Sequence, residues 1–126
     1  MGFRYIICDD APFIRELIKE QLFKMGGLCI AESDEVAKTV LLCDQLRPDY
    51  LILDLVLPNK SGIELFHLIT NDLNEMKIII CSSLDRETVL TRSPYLAKYL
   101  YLQKPFNSQQ LNQIFLSRKK LEVINE

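Results

Sequence analysis

Asp54 ends the apolar run Tyr50 to Leu53 and is followed by Leu55, Val56, Leu57 and Pro58, then by Ser61 and Gly62. Asp9 and Asp10 end a second such run, Tyr5 to Cys8. Lys104 ends a third, Tyr99 to Gln103, just before Pro105 and Phe106. An ionised group at the tip of a buried strand costs free energy unless the chain pairs it or uses it. Three acids and one base delivered to one rim of a sheet suggest a metal-dependent phosphoryl site, because carboxylates hold a hard divalent cation and an ammonium balances phosphate charge.

The pattern along the chain brings those tips to one rim. Phe3 to Cys8, Tyr50 to Leu53 and Lys77 to Cys81 are mostly apolar and read as buried strands. Leu28 to Ala31 and Tyr99 to Leu102 are shorter and fit the flanks of the sheet. Helical spacing lies between them. Ile14, Leu17, Ile18, Leu22 and Met25 recur at three- and four-residue steps, with Pro12 in the first turn and Gly26-Gly27 as the stop. A second helix is predicted over 34–46, capped by Ser33 and followed by Pro48. Ser61 and Glu64 have the spacing of a capping box ahead of Leu65, Leu68 and Ile69. The last helix starts after Asn107, with Gln110 three residues on, and buries Leu111, Ile114 and Phe115.

Strict alternation of strand and helix implies an α/β fold: a five-stranded parallel sheet with helices on both faces, joined by right-handed crossovers. In such sheets the ligand site lies beyond the carboxyl ends of the strands, where strand order switches. Asp9, Asp10, Asp54, Ser82 and Lys104 all fall at or just past those ends.

Composition narrows the function classes. At 126 residues the chain is long enough for one substantial core, and a net charge of −2 provides no general attraction for nucleic acid or an anionic membrane. No apolar run is long enough to span a bilayer and the start lacks a signal-peptide pattern, so a cytoplasmic location is expected. Cys8, Cys29, Cys43 and Cys81 have no zinc-like spacing and read as small buried hydrophobes. His67 has no second histidine to work with, and Arg118-Lys119-Lys120 reads as a solvated helix end.

Asp9-Asp10, Asp54 with Pro58 and Gly62 beyond it, Ser82 after the fourth strand, Tyr101 on the fifth and Lys104-Pro105-Phe106 at its end come in order, each at its own strand. Together they resemble the receiver domain of bacterial two-component response regulators, of the chemotaxis-regulator kind. The resemblance covers nearly the whole chain. It implies one receiver domain over 1–126 with no output domain in this chain, and a flavodoxin-like three-layer α/β/α sandwich of strand order 2-1-3-4-5.

The resemblance also implies roles. Asp54 is the nucleophile that accepts a phosphoryl group from a histidine kinase or histidine phosphotransfer protein, giving an acyl phosphate. Mg2+ is bound by Asp10, Asp54 and the Val56 backbone carbonyl, with Asp9 acting through water. Lys104 faces a phosphoryl oxygen, and a cis Lys104-Pro105 bond aims it inward. Ser82 donates a hydrogen bond to the new phosphoryl group, Tyr101 rotates into the volume Ser82 vacates, and the face of the fourth helix, fifth strand and fifth helix presents a new surface to a downstream protein. The implied protein is a switch that catalyses its own phosphotransfer and dephosphorylation, not a dedicated enzyme. A homodimer is left open.

Departures and rivals bound this reading. Pro94 cannot sit inside a helix without a penalty of about 3 kcal/mol, so the fourth helix, starting near Asp85, should end around Arg92. The residues near Ala97-Lys98 replace the family's usual Gly-Ala pair, so no partner-binding mode is carried over. Val56 and Leu84 flank the site and are apolar; they cannot orient an attacking water, which predicts a long-lived acyl phosphate. A phosphorelay intermediate or a receiver excised from a longer regulator fits the same residues. A phosphatase with an aspartyl nucleophile would need Asp-x-Asp, which neither Asp54-Leu55-Val56 nor Asp9-Asp10 supplies, and Asp9-Asp10 would repel a flavin phosphate.

Overall fold

Five strands carry the site, and their spacing in the sequence matches the alternation described above. The computed structural model describes residues 2–58, 60–69 and 76–124, with side chains described as far as 116. The strands are β1 (Phe3–Cys8), β2 (Gly27–Ser33), β3 (Tyr50–Leu53), β4 (Lys77–Ser82) and β5 (Leu100–Gln103). The helices are α1 (Pro12–Phe23), α2 (Val36–Leu46), α3 (Glu64–Leu68), α4 (Arg86–Arg92) and α5 (Ser108–Ile124). All strand pairs are parallel and the order is β2-β1-β3-β4-β5.

The period-two alternation of strand side chains divides the core into two layers. Ile6, Cys8, Leu51, Leu53, Ile78 and Ile80 face one way, onto Val36 and Cys43 of α2, Leu65 of α3 and Val89 of α4. Tyr5, Ile7, Tyr50, Ile52, Ile79 and Cys81 face the other, onto Ile18 and Leu22 of α1 and Leu111 and Phe115 of α5. Both faces are covered, which is why these strands are apolar apart from the exposed Arg4 and Lys77 near their starts. Phe3, Tyr50 and Phe115 form an aromatic knot on the second face, with Phe3 stacked on Phe115 at 5.2 Å. The four cysteines are free thiols; Cys8, Cys43 and Cys81 are buried, which pushes Cys8 up to about 11 and Cys43 and Cys81 up to about 12, whereas Cys29, on the edge strand β2, is only half-buried, contrary to the expectation of a core residue.

Several helix ends differ from expectation. Ser33 closes β2 and its hydroxyl accepts from the Glu35 N–H at 3.1 Å, so it shapes the turn, while α2 begins at Val36 with Glu35 at its cap. The Ser61–Glu64 capping box is not formed: the Ser61 hydroxyl accepts from the Ile63 N–H at 3.2 Å, and Ile63 is the helix cap. Ser61 is drawn instead into a bridge with Val56 that closes the loop after β3. α3 buries Leu65 but leaves Leu68 exposed. A capping box does form at α5, where Asn107 and Gln110 exchange hydrogen bonds of 2.9 and 2.8 Å.

Asp85 caps α4 by accepting from the Thr88 N–H, and α4 ends at Arg92. Pro94 then opens a 3-10 turn, Pro94–Lys98, as its missing N–H requires. That turn brings Tyr95 and Tyr99 against Phe66 of α3. His67 is exposed and lies beside Tyr95. The side chains of Arg118, Lys119 and Lys120 lie outside the described residues. Among the described residues, no helix is long and apolar enough to cross a membrane.

Candidate functional site

Strand register decides which side chains meet. Cys8 pairs with Leu53, so the residues that follow, Asp9 and Asp54, leave neighbouring strands side by side at the carboxyl edge. The Asp54 N–H donates to the Cys8 carbonyl at 2.9 Å, extending that ladder by one step. On the other side Ser82 pairs with Gln103, and the Lys104 N–H donates to the Ser82 carbonyl at 2.8 Å. The Lys104-Pro105 peptide is cis.

Lys104 ties the acids together. Its ammonium donates to Asp9 Oδ2 at 2.6 Å and to Asp54 Oδ2 at 2.8 Å. The other oxygens are held by backbone: the Ala11 N–H donates to Asp9 Oδ1 and the Val56 N–H to Asp54 Oδ1, both at 2.9 Å. Asp9 and Asp54 are buried, at 2% and 4% exposure, whereas Asp10 is exposed. Ligand oxygens of Asp9, Asp10 and Asp54 all lie within 4.8 Å of one another.

These groups do not balance. Three carboxylates face one ammonium, leaving two negative charges in excess when all are ionised. Burial raises the Asp9 pKa; the hydrogen bonds from Lys104 and Ala11 only partly offset it, and the nearby Asp54 charge adds to it. Burial works against the Lys104 ammonium, but its hydrogen bonds to Asp54 and Asp9 outweigh that and raise its pKa. An all-oxygen donor set with excess negative charge and one carboxylate free of hydrogen bonds among the described residues fits a hard divalent cation.

Ser82 is fully buried at the end of β4, and its hydroxyl accepts from the Leu84 N–H at 3.3 Å. The Tyr101 hydroxyl donates to the Leu84 carbonyl at 2.6 Å, so a β5 side chain reaches the loop that carries Ser82. Val56 and Leu84, at 46% and 40% exposure, are the apolar rim. Gly62 lies under the site: its N–H donates to the Leu55 carbonyl at 2.8 Å, and a Cβ there would run into the Asp54 carbonyl oxygen.

Sequence reasoning did not single out Arg15 or Glu32. Arg15 Nη1 donates to the Asp9 carbonyl at 2.6 Å, and Arg15 Nε donates to Glu32 Oε1 at 3.0 Å. A cation six residues after Asp9 on a helix was a weak signal, since its partner on β2 is visible only once β2 lies beside β1.

A family profile for the response regulator receiver domain matches residues 5–116. The chain belongs to that family. Receiver domains are phosphorylation-dependent elements of two-component signalling and bind Mg2+ at an acidic cluster, and the Asp9, Asp10 and Asp54 pocket of this receiver is compatible with both. It is 28% identical to the chemotaxis protein CheY of Bacillus subtilis, over 100% of this chain and 98% of that protein. It also resembles the receiver domain of AraT, a response regulator from Geobacillus stearothermophilus, with a TM-score of 0.81, 26% identity and full coverage of both chains. The CheY of Borrelia burgdorferi, solved in a complex with CheX, BeF3 and Mg2+, shares the fold at a TM-score of 0.81 and 20% identity, covering 91% of this receiver and 87% of that chain.

Proposed function

We propose that residues 1–126 act as a single receiver domain that accepts a phosphoryl group on Asp54 from a phosphohistidine of a histidine kinase or histidine phosphotransfer protein. The observation that carries this is Lys104 bridging two buried carboxylates beside a third, at the carboxyl edge of a parallel sheet. An Asp54 carboxylate oxygen attacks phosphorus and the new O–P bond replaces the donor's N–P bond. The departing imidazole keeps the electron pair and takes up a proton from water.

Asp10, Asp54 and the Val56 carbonyl would hold Mg2+, with Asp9 reaching it through water; when bound, the metal supplies positive charge against the phosphoryl oxygens. Lys104 places its ammonium against the same group from the sheet side. The Ser82 hydroxyl gives up its bond to the Leu84 N–H and donates to a phosphoryl oxygen. The Tyr101 contact with the Leu84 carbonyl supports a switch in which this movement is passed to the face of α4, β5 and α5, where a downstream protein docks. The CheX complex of the Borrelia burgdorferi CheY supports a protein partner of this general kind. The test is incubation with acetyl phosphate and Mg2+ followed by intact mass. One phosphate is expected on the natural chain and none on Asp54→Asn; an equal gain in the variant would overturn the assignment.

A further inference from the structure

We propose that Arg15, braced by Glu32, is a positioning residue that sets the direction in which the Asp10 carboxylate enters the cation site. This rests on the reading of that site as an Mg2+ site. The Asp9 and Asp54 carboxylates are each aimed by a backbone N–H and by Lys104. Asp10 differs: among the described residues nothing hydrogen-bonds its carboxylate, so its aim depends on its backbone.

That backbone is gripped on its N-terminal side. The Asp9 N–H donates to the Ser33 carbonyl at 2.9 Å, and the Asp9 carbonyl, which belongs to the peptide joining Asp9 to Asp10, accepts from Arg15 Nη1 at 2.6 Å. Turning this peptide would swing the Asp10 Cα–Cβ direction, and the Arg15 bond opposes it. Arg15 is itself held, because its Nε donates to Glu32 Oε1 at 3.0 Å while Glu32 Oε2 accepts from Lys19 at 2.9 Å. The planar guanidinium, with donors at fixed angles, spans the Glu32 carboxylate on β2 and the Asp9 carbonyl just past β1.

Electrostatics alone argues the opposite way. Arg15 is a positive charge near a cation site, so neutralising it should tighten Mg2+ binding if charge were its only contribution. Positioning requires neutralisation to weaken binding. The two accounts differ in sign.

The experiment measures the Mg2+ dissociation constant of the full chain by calorimetry, and Mn2+ binding by electron paramagnetic resonance, both well below the melting temperature. Arg15→Met is expected to weaken Mg2+ binding by about tenfold, at the low end for residues that orient metal ligands. Arg15→Lys keeps the charge but replaces the two nitrogens that hold Glu32 and the Asp9 carbonyl with one, so it should also weaken binding, by less. Glu32→Ala leaves Arg15 in place without its brace and should do the same. If Arg15→Met fails to fold, the other two variants carry the test. Unchanged or tighter Mg2+ binding in the folded variants overturns the proposal, even if their melting temperatures fall. A natural chain that binds no Mg2+ would instead overturn the reading of the site.

Discussion

Asp10→Asn separates a site built for a cation from one that merely tolerates three acids. In the metal-free protein the Asp10 carboxylate lies within 4.8 Å of the other two acids and has no hydrogen bond of its own among the described residues. At 4.8 Å two unit charges repel by about 0.9 kcal/mol in water and about 3.5 kcal/mol at an effective dielectric of about 20. Asp10 is exposed, so the aqueous limit applies. Two neighbours then amount to about 2 kcal/mol, and one ammonium, Lys104, taken at the same separation returns about half. A net gain of about 1 kcal/mol corresponds to a melting temperature about 4 °C higher in a domain of this size. In EDTA at low salt, Asp10→Asn should therefore melt above the natural chain. Mg2+ reverses the order: at ten times its dissociation constant it stabilises the natural chain by about 1.4 kcal/mol, while the variant gains little. Calorimetric melts in EDTA and in Mg2+ measure both. A variant that melts lower in EDTA, or that gains as much from Mg2+ as the natural chain, refutes the reasoning.

Three further outcomes are expected. Gly62→Ala should lose about 2–3 kcal/mol in urea unfolding and bind Mg2+ more weakly, because its Cβ would meet the Asp54 carbonyl oxygen and lie 2.8 Å from the Leu55 Cα, neither of which can turn aside; natural stability would contradict the packing described. Val56→Asn and Leu84→Glu each put a polar group on the apolar rim and should speed loss of the Asp54 phosphoryl group, followed by phosphate release; no acceleration in either counts against a water-excluding rim. Burial works against the Glu32 carboxylate, but Lys19 and Arg15 outweigh it and hold its pKa below the usual 4.5, so the stability it contributes is present above pH 4.5 and is lost as pH falls through the folded value. The stability gap between the natural chain and Glu32→Gln, about 1 kcal/mol or less for a partly exposed pair, should thus be constant from pH 5 to 7 and close below 4.5; a gap that widens in acid would reverse the sign argued here.

Much of this was legible in the residues. The apolar runs Tyr5 to Cys8, Tyr50 to Leu53 and Ile78 to Cys81 announced β1, β3 and β4, because a strand covered on both faces has no polar side to alternate with. Pro94 announced the end of α4, because a ring without an N–H cannot continue the helix. The acids and the lysine declared themselves by standing at strand tips. Local spacing was less reliable where a side chain had a better offer elsewhere. Ser61 has the position of a capping residue, yet it serves the loop after β3, and Ser33 shapes the turn into α2 without capping it.

What the sequence determined alone is the inventory and the edge: which ionisable groups sit at the carboxyl ends of strands. Tertiary structure decided the pairings. Lys104 and Asp9 are 95 positions apart, and Arg15 and Glu32 are 17 apart on different elements. Periodicity and capping report only on residues within a turn or two of each other. Which carboxylate is neutralised, which is left for a cation, and which carbonyl an arginine holds depend on strand order and register, and these exist only once the sheet has closed around its two-sided core.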